Sequence, residues 1–409
     1  MTVDVRTRVD GPVELVDPAR FGEELADAFE RQRELLARAV GVFAPPSLVI
    51  ESEGNVWTLA VDGNRVRVTT GAIDDPGVML RLTGAQLTDL VHDQVTVVGM
   101  QTNGTLDQPV GRFDELLDWW LLLRGALDAR APHVPGAIDL VDALGAPLAL
   151  ERIFAADADL AEMGDFLQRA GYLHIEGVFT EEEMAAVSLD MDRAAPTYAP
   201  DDGRSWWARN AAGEQLLVRM QYFDDVSPAV DRIVHDDRLL RLAGLTGDGH
   251  VHGSMEDNRI EALFKPFDVV EGISDLPWHK DCALGRHSYD CCGMTVGISV
   301  TGADARSGQL RAVAGSHRAL MWPSDHREHR SDLPAVDLPT RTGDLTVHLS
   351  CTLHKSQPPV ERERRVLYTG FRLPLRGTDA EREARDRLRA IREDAPLKAP
   401  SANAATSRS

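Results

Sequence analysis

A chain of 409 residues with 43% apolar side chains is long enough for two or three globular domains, and its formal charge of −21 argues against two classes of partner. Nucleic acids and anionic lipid surfaces are held by clustered Lys and Arg, whereas here 65 acidic residues outnumber 44 basic ones. No apolar run approaches a membrane span of about 20 residues, no secretory signal is evident, and four cysteines in so long a chain form no disulfide framework, so the expected location is the cytoplasm.

In chain order, residues 1–17 carry no pattern until Asp17 and Pro18, a cap and a first-turn proline that open one amphipathic helix through Phe21, Leu25, Phe29, Leu35 and Leu36. Strands are expected at 47–51, 56–61, 65–70 and 78–82, with Asp62-Gly63 as a hairpin turn. A helix from Thr83, a turn at Asn103-Gly104 and a strongly apolar helix from Phe113 to Leu127 complete this part. Trp119, Trp120 and Leu121 read either as core or as a subunit contact, which is the basis for expecting a homodimer. Pro and Gly between Ala131 and Gly136 mark a boundary, and 131–154 reads as a linker. Beyond it, Thr180 and Glu183 form a capping box for a helix to about Ala194. Trp206 and Trp207 read as an aromatic loop, 224–244 as helical, and 377–409 as a charged helix with a disordered tail.

Candidate chemistry gathers between Trp278 and Arg372. Alternate side chains of an extended strand share a face, so His279 and Asp281 point the same way and Lys280 points away. One further His would complete two imidazoles and a carboxylate, the donor set of non-haem Fe(II) oxygenases, with positions left for a co-substrate and O₂. His348 and His354 both qualify by spacing, because an even interval on an unbroken strand keeps one face. Arg365 shares a face with Leu367, Thr369 and Phe371, where a buried guanidinium needs an anion such as an α-keto acid carboxylate; Arg364 falls on the opposite face. Cys291 and Cys292 lack metal-site spacing and read as buried filling, like Cys282 and Cys351. His317 reads as structural, and His287, His326 and His329 as exposed.

Several ordered motifs carry a resemblance. Phe166 to Met184, Trp278-His279-Lys280-Asp281, Gly308 to Leu310, Gly315-Ser316-His317-Arg318, Gly343-Asp344, Leu353-His354-Lys355-Ser356 and Arg364-Arg365 resemble the phytanoyl-CoA dioxygenase family of Fe(II)/2-oxoglutarate enzymes. The resemblance implies an α+β chain whose residues 155–376 form a double-stranded β-helix (jelly-roll) barrel with flanking helices. It makes His354 the third ligand beside His279 and Asp281, with Fe(II) as cofactor and 2-oxoglutarate and O₂ as co-substrates. Arg365 would hold the distal carboxylate, and Ser356, Lys265 and Thr295 would also touch the keto acid. The expected outcome is hydrogen abstraction from a small substrate, by default hydroxylation, with release of succinate and CO₂. Halogenation is disfavoured because Asp281 takes the position a halide needs.

Earlier in the chain, Trp57 to Gly63, Pro76 to Thr83 and Gly104 to Asp107 resemble the sterol-carrier-protein-2-like domain. That resemblance implies a five-stranded α+β layer over 18–130 around a lipid tunnel, and with it a lipophilic substrate. Two other readings compete. A lipid-binding or transfer protein with an inactive barrel is opposed by retention of all three ligands, and a cupin-type metalloenzyme without 2-oxoglutarate is opposed by Arg365.

Overall fold

The computed structural model describes residues 14–102, 104–253, 259–272, 276–284, 293–322, 324–325, 331–374, 377–379 and 382–383. His287, His326, His329, Cys291, Cys292 and most of the tail therefore lie outside the described residues. Among the described residues no helix is long and apolar enough to cross a membrane.

The first helix begins as expected, with the Asp17 carboxylate accepting from the Ala19 backbone N–H and Pro18 in the first turn. It is broken at Gln32 into Pro18–Arg31 and Arg33–Phe43, where one helix is expected. Phe21, Leu25, Ala28, Phe29, Leu36, Ala39 and Val40 are buried along both pieces at helical spacing, so both face one core. That core lies against a five-stranded sheet of order Arg65–Thr70, Asn55–Asp62, Leu48–Ser52, Val78–Leu82, Asp107–Val110. Only the Leu48–Ser52 and Val78–Leu82 pair is parallel. The helix Phe113–Asp128 is apolar on several sides because it has several neighbours. Trp119 and Trp120 close the N-terminal core, while Leu121 meets Leu320 and Trp322 of the C-terminal half. All three are buried within one chain, so none of them is available as a subunit contact, and the reason for expecting a homodimer falls away.

The stretch 131–154, expected as a linker, is fastened to the C-terminal half. His133 N–H donates to the Leu320 carbonyl at 2.7 Å, and Asp332 accepts from the Gly136 N–H at 2.8 Å. Two sheets follow. The larger runs Val269–Glu271, Ser205–Asn210, Gln215–Met220, Ile260–Lys265, Arg364–Arg372, Met294–Ser299, Leu345–Leu349, Tyr172–Glu176, Ile153–Ala155, with Val251–His252 also on Arg364–Arg372. The smaller runs Ser324–Asp325, Leu276–His279, His354–Ser356, Leu310–Val313, Ala335–Leu338. Trp206 and Trp207 sit in the first strand of a hairpin rather than in a loop: Trp206 lies under the Arg219 guanidinium, 4.1 Å from ring centroid, and Trp207 packs on the main core. The helical stretch expected at 224–244 is broken into short segments with caps at Ser227 and Asp236.

Alternation sorts the larger sheet. Met294, Val296, Ile298, Leu367 and Phe371 pack with Met163, Phe166, Met184, Val187 and Ile233 of the covering helices, leaving Thr295, Gly297, Arg364 and Tyr368 on the opposite face. Two glycines of the family motifs explain themselves. Gly171 ends the helix Leu160–Ala170 at φ +90°, and a Cβ there would stand 2.5 Å from His317 Nδ1 and 2.7 Å from Thr352 Oγ1. Gly343 has φ +85°, and its Cβ would fall onto the Phe179 carbonyl. Asp344 beside it takes bonds from His174 Nε2 at 3.0 Å and from the Gly177 and Arg341 N–H groups, so this motif is a structural clasp.

Candidate active site

His279 ends its strand directly across the ladder from His354, which brings the two rings to 4.2 Å between centroids. Asp281 is no longer in a strand: it starts the 3-10 turn Asp281–Leu284, which curls the carboxylate back between the two imidazoles. Its Oδ1 lies 3.3 Å from His279 Nε2 and 3.6 Å from His354 Nε2, and one donor atom from each residue falls within 4.8 Å of the others. Lys280 points away, as expected, and its Nζ donates to the Ser316 and Ala319 carbonyls at 2.9 and 3.0 Å.

The other carboxylate oxygen has different company. Asp281 Oδ2 accepts from Thr295 Oγ1 at 3.0 Å and lies 3.3 Å from His348 Nε2. Thr295, expected against the keto acid, thus orients Asp281 instead, because its strand places it beside His348. His348 and His354 are 4.1 Å apart by ring centroid, and they divide the work: His354 shares the Oδ1 side with His279, and His348 braces Oδ2. The Thr352 carbonyl accepts from His354 Nδ1 at 2.9 Å, an arrangement that leaves the Nε2 lone pair facing the cluster.

Charge follows from these contacts. Desolvation opposes ionisation of Asp281, but His354, His279 and His348 outweigh it and hold the carboxyl well below its ordinary value. Burial, reinforced by His348 and His279, holds His354 well below the ordinary imidazole value despite Asp281. A carboxylate beside a neutral imidazole is the state a divalent cation requires. The donor set of two imidazoles and one carboxylate fits non-haem Fe(II).

Arg365 is not at this site. Its face of the strand is the one that packs on the helices, where the guanidinium pairs with Asp192 at 2.8 Å and Glu363 at 2.9 Å, donates to Ser188, and lies over Phe264. Those partners raise its pKa in spite of burial. Arg364 is the buried one: its Nη2 donates to Ser356 Oγ at 3.1 Å, and its buried Nε has no hydrogen-bond partner. No carboxylate among the described residues pairs with it, and burial pushes its pKa down against the pull of Tyr368. Lys265 is buried directly across the ladder from Arg364. A desolvated guanidinium with an unused donor fits an anionic co-substrate. Arg365 does share a face with Leu367, Thr369 and Phe371, as the alternation predicts, but that face packs on the covering helices and not on the site. The missed signal was the apolar character of that face, which in a sheet covered by helices belongs to the helix interface.

Residues 167–365 match the family model for phytanoyl-CoA dioxygenase. The chain is 26% identical over 178 residues to the ectoine dioxygenases of Bordetella parapertussis and Bordetella bronchiseptica, an overlap of 42% of this chain and 55% of each relative. It thus spans about half the length of the curated relatives it matches. Among solved structures, AviO1 from Streptomyces viridochromogenes is 23% identical at TM-score 0.42, covering 53% of this chain and 96% of that one. EctD from S. alaskensis with 2-oxoglutarate and 5-hydroxyectoine is 18% identical at TM-score 0.42, covering 54% and 77%. The segment that matches the phytanoyl-CoA dioxygenase family model contains His279, Asp281, His354 and Arg364.

Proposed function

We propose that the protein is a non-haem Fe(II)/2-oxoglutarate-dependent oxygenase acting on a small molecule, with His279, Asp281 and His354 as the iron ligands. The observation that carries this reading is the juxtaposition of the neutral imidazole and carboxylate cluster with the anion-deficient guanidinium of Arg364, on two sheets whose side chains meet at Asp281. Bound iron would supply the O₂ chemistry that couples oxidative decarboxylation of 2-oxoglutarate to hydrogen abstraction from the substrate. The chain's own residues position and neutralise. Thr295 and His348 fix the Asp281 carboxylate so that Oδ1 faces the site, the Thr352 carbonyl fixes the His354 tautomer, and Arg364 with Ser356 takes the distal carboxylate of 2-oxoglutarate.

The two facing sheets support the double-stranded β-helix reading, and the strand order with one parallel pair supports a sterol-carrier-like N-terminal layer. The apolar cleft among Phe21, Leu80, Leu87, Leu116, Trp120 and Leu123 holds about 30 Å³ of free space, the room of one or two waters and far less than an acyl chain needs.

The test is single-turnover chemistry. Anaerobic protein loaded with one equivalent of Fe(II) and 2-oxoglutarate should release succinate on admission of O₂, slowly without substrate and faster with it. Absence of succinate from protein that binds Fe(II) stoichiometrically would overturn the 2-oxoglutarate reading and favour a cupin-type enzyme.

A further inference from the structure

Cys282 and Cys351 stand 69 residues apart in sequence, yet their sulfurs are 3.1 Å apart, and neither is in a disulfide. Each sits on a segment that carries a ligand of the cluster. Cys282 follows Asp281 in the 3-10 turn, and its N–H donates to the Ser350 carbonyl at 3.3 Å. Cys351 lies in the turn that leads to Thr352, whose carbonyl orients His354. The two differ in exposure: Cys351 is fully buried and Cys282 is partly exposed.

We propose that Cys282 and Cys351 form a reversible disulfide under peroxide, and that this cross-link weakens metal binding at the neighbouring cluster. Hydrogen peroxide reaches the partly exposed Cys282 thiol first and oxidises it to a sulfenic acid, releasing one water. The Cys351 sulfur then attacks that sulfur, a second water leaves, and the S–S bond forms. Two thiols lose two electrons and one peroxide gains them. A bonded pair sits at about 2.05 Å, so closing the contact draws the Asp281 turn towards the turn before His354 by roughly 1 Å, while metal–ligand distances tolerate only about 0.2 Å. The cross-link stands apart from the proposed oxygenase reading, whereas its effect on metal rests on that reading.

The experiment treats the full chain with hydrogen peroxide, maps cysteines by differential alkylation and mass spectrometry, and titrates Co(II) into reduced and oxidised protein. The expected result is one peptide pair joining Cys282 to Cys351, reversed by a phosphine reductant, and Co(II) affinity at least tenfold lower in the oxidised form. Cys282→Ser, a partly exposed and conservative change, should abolish the cross-link and leave Co(II) affinity insensitive to peroxide. Cysteines 282 and 351 that stay alkylatable, or pair with Cys291 or Cys292 instead, overturn the cross-link. Equal Co(II) affinity in both forms overturns the coupling, and reduced protein that binds no Co(II) overturns it through the metal site while leaving the disulfide to be judged by the peptide map.

Discussion

Arg124 in the N-terminal half and Arg364 in the C-terminal half are both buried, yet their surroundings differ in kind. The Arg124 guanidinium donates to the Leu90 and Val91 carbonyls at the end of the helix Gly84–Val91, at 2.7 and 2.9 Å, and pairs with Asp128. It caps a helix and balances a charge, which leaves it nothing to bind. Arg364 bonds Ser356 and keeps a buried Nε without a partner. Where a fold satisfies its own buried charge, that charge is structure; where it leaves the charge short of an anion, the missing group is best sought in a ligand. The same contrast holds for the halves as wholes, since the N-terminal core closes on Trp, Leu and Val while the space between the C-terminal sheets holds His279, His348, His354, Ser356 and Arg364.

The largest effect should come from the cluster itself. His279→Ala and His354→Ala should abolish stoichiometric Fe(II) binding and turnover with an unchanged far-UV spectrum, because the sheets and not the ion hold the fold together. His348→Ala, which removes a brace rather than a ligand, should lower affinity by about tenfold. Metal titrations in which His348→Ala eliminates binding and His354→Ala does not would exchange the two roles.

Next comes the pair of adjacent arginines. Arg364→Leu removes charge-assisted bonds of about 1.5 to 3 kcal/mol each, so the 2-oxoglutarate affinity should fall by about ten- to a hundredfold. Arg365→Leu should leave that affinity near wild type and lower Tm instead, since it severs Asp192 and Glu363 on the helix side. A larger 2-oxoglutarate defect in Arg365→Leu would restore the strand facing expected from sequence.

Arg124→Met tests the other side of the contrast. It strands two helix-end carbonyls and Asp128, and should cost about 2 kcal/mol of stability in denaturant unfolding, with no change in Fe(II) or 2-oxoglutarate affinity. A lost affinity there would show that the N-terminal half governs the site.

The smallest effect is a pH slope. Burial holds His317 down at about 3 from an ordinary value of 6.5, against the Gln168 carbonyl that favours its proton. The unfolded chain therefore takes up this proton first as pH falls, so the contribution is fully present above pH 6.5 and is lost progressively between about 6.5 and 3, at up to roughly 1.4 kcal/mol per pH unit. His317→Gln should flatten that part of the stability profile; urea midpoints measured from pH 7 to 4 would reveal an unchanged slope if His317 were protonated in the fold.

By itself the sequence determined the elements whose signals are local. The Asp17-Pro18 start, the Thr180 and Glu183 capping box and the first four strands follow from caps and period-two alternation, while the His279, Asp281 and His354 cluster follows from ordered motifs, Asp281 reaching it through a 3-10 turn and not along a strand. Facing was beyond it. Alternation says which residues of Arg364–Arg372 share a side, but only the helices packed on Leu367 and Phe371 decide which side is the interior, and a choice of the wrong side moves every residue at once. The roles of His348 and Thr295, the closing of Leu121 onto Leu320, and the approach of Cys282 to Cys351 were equally out of reach, because each joins segments distant in sequence through contacts that carry no local pattern.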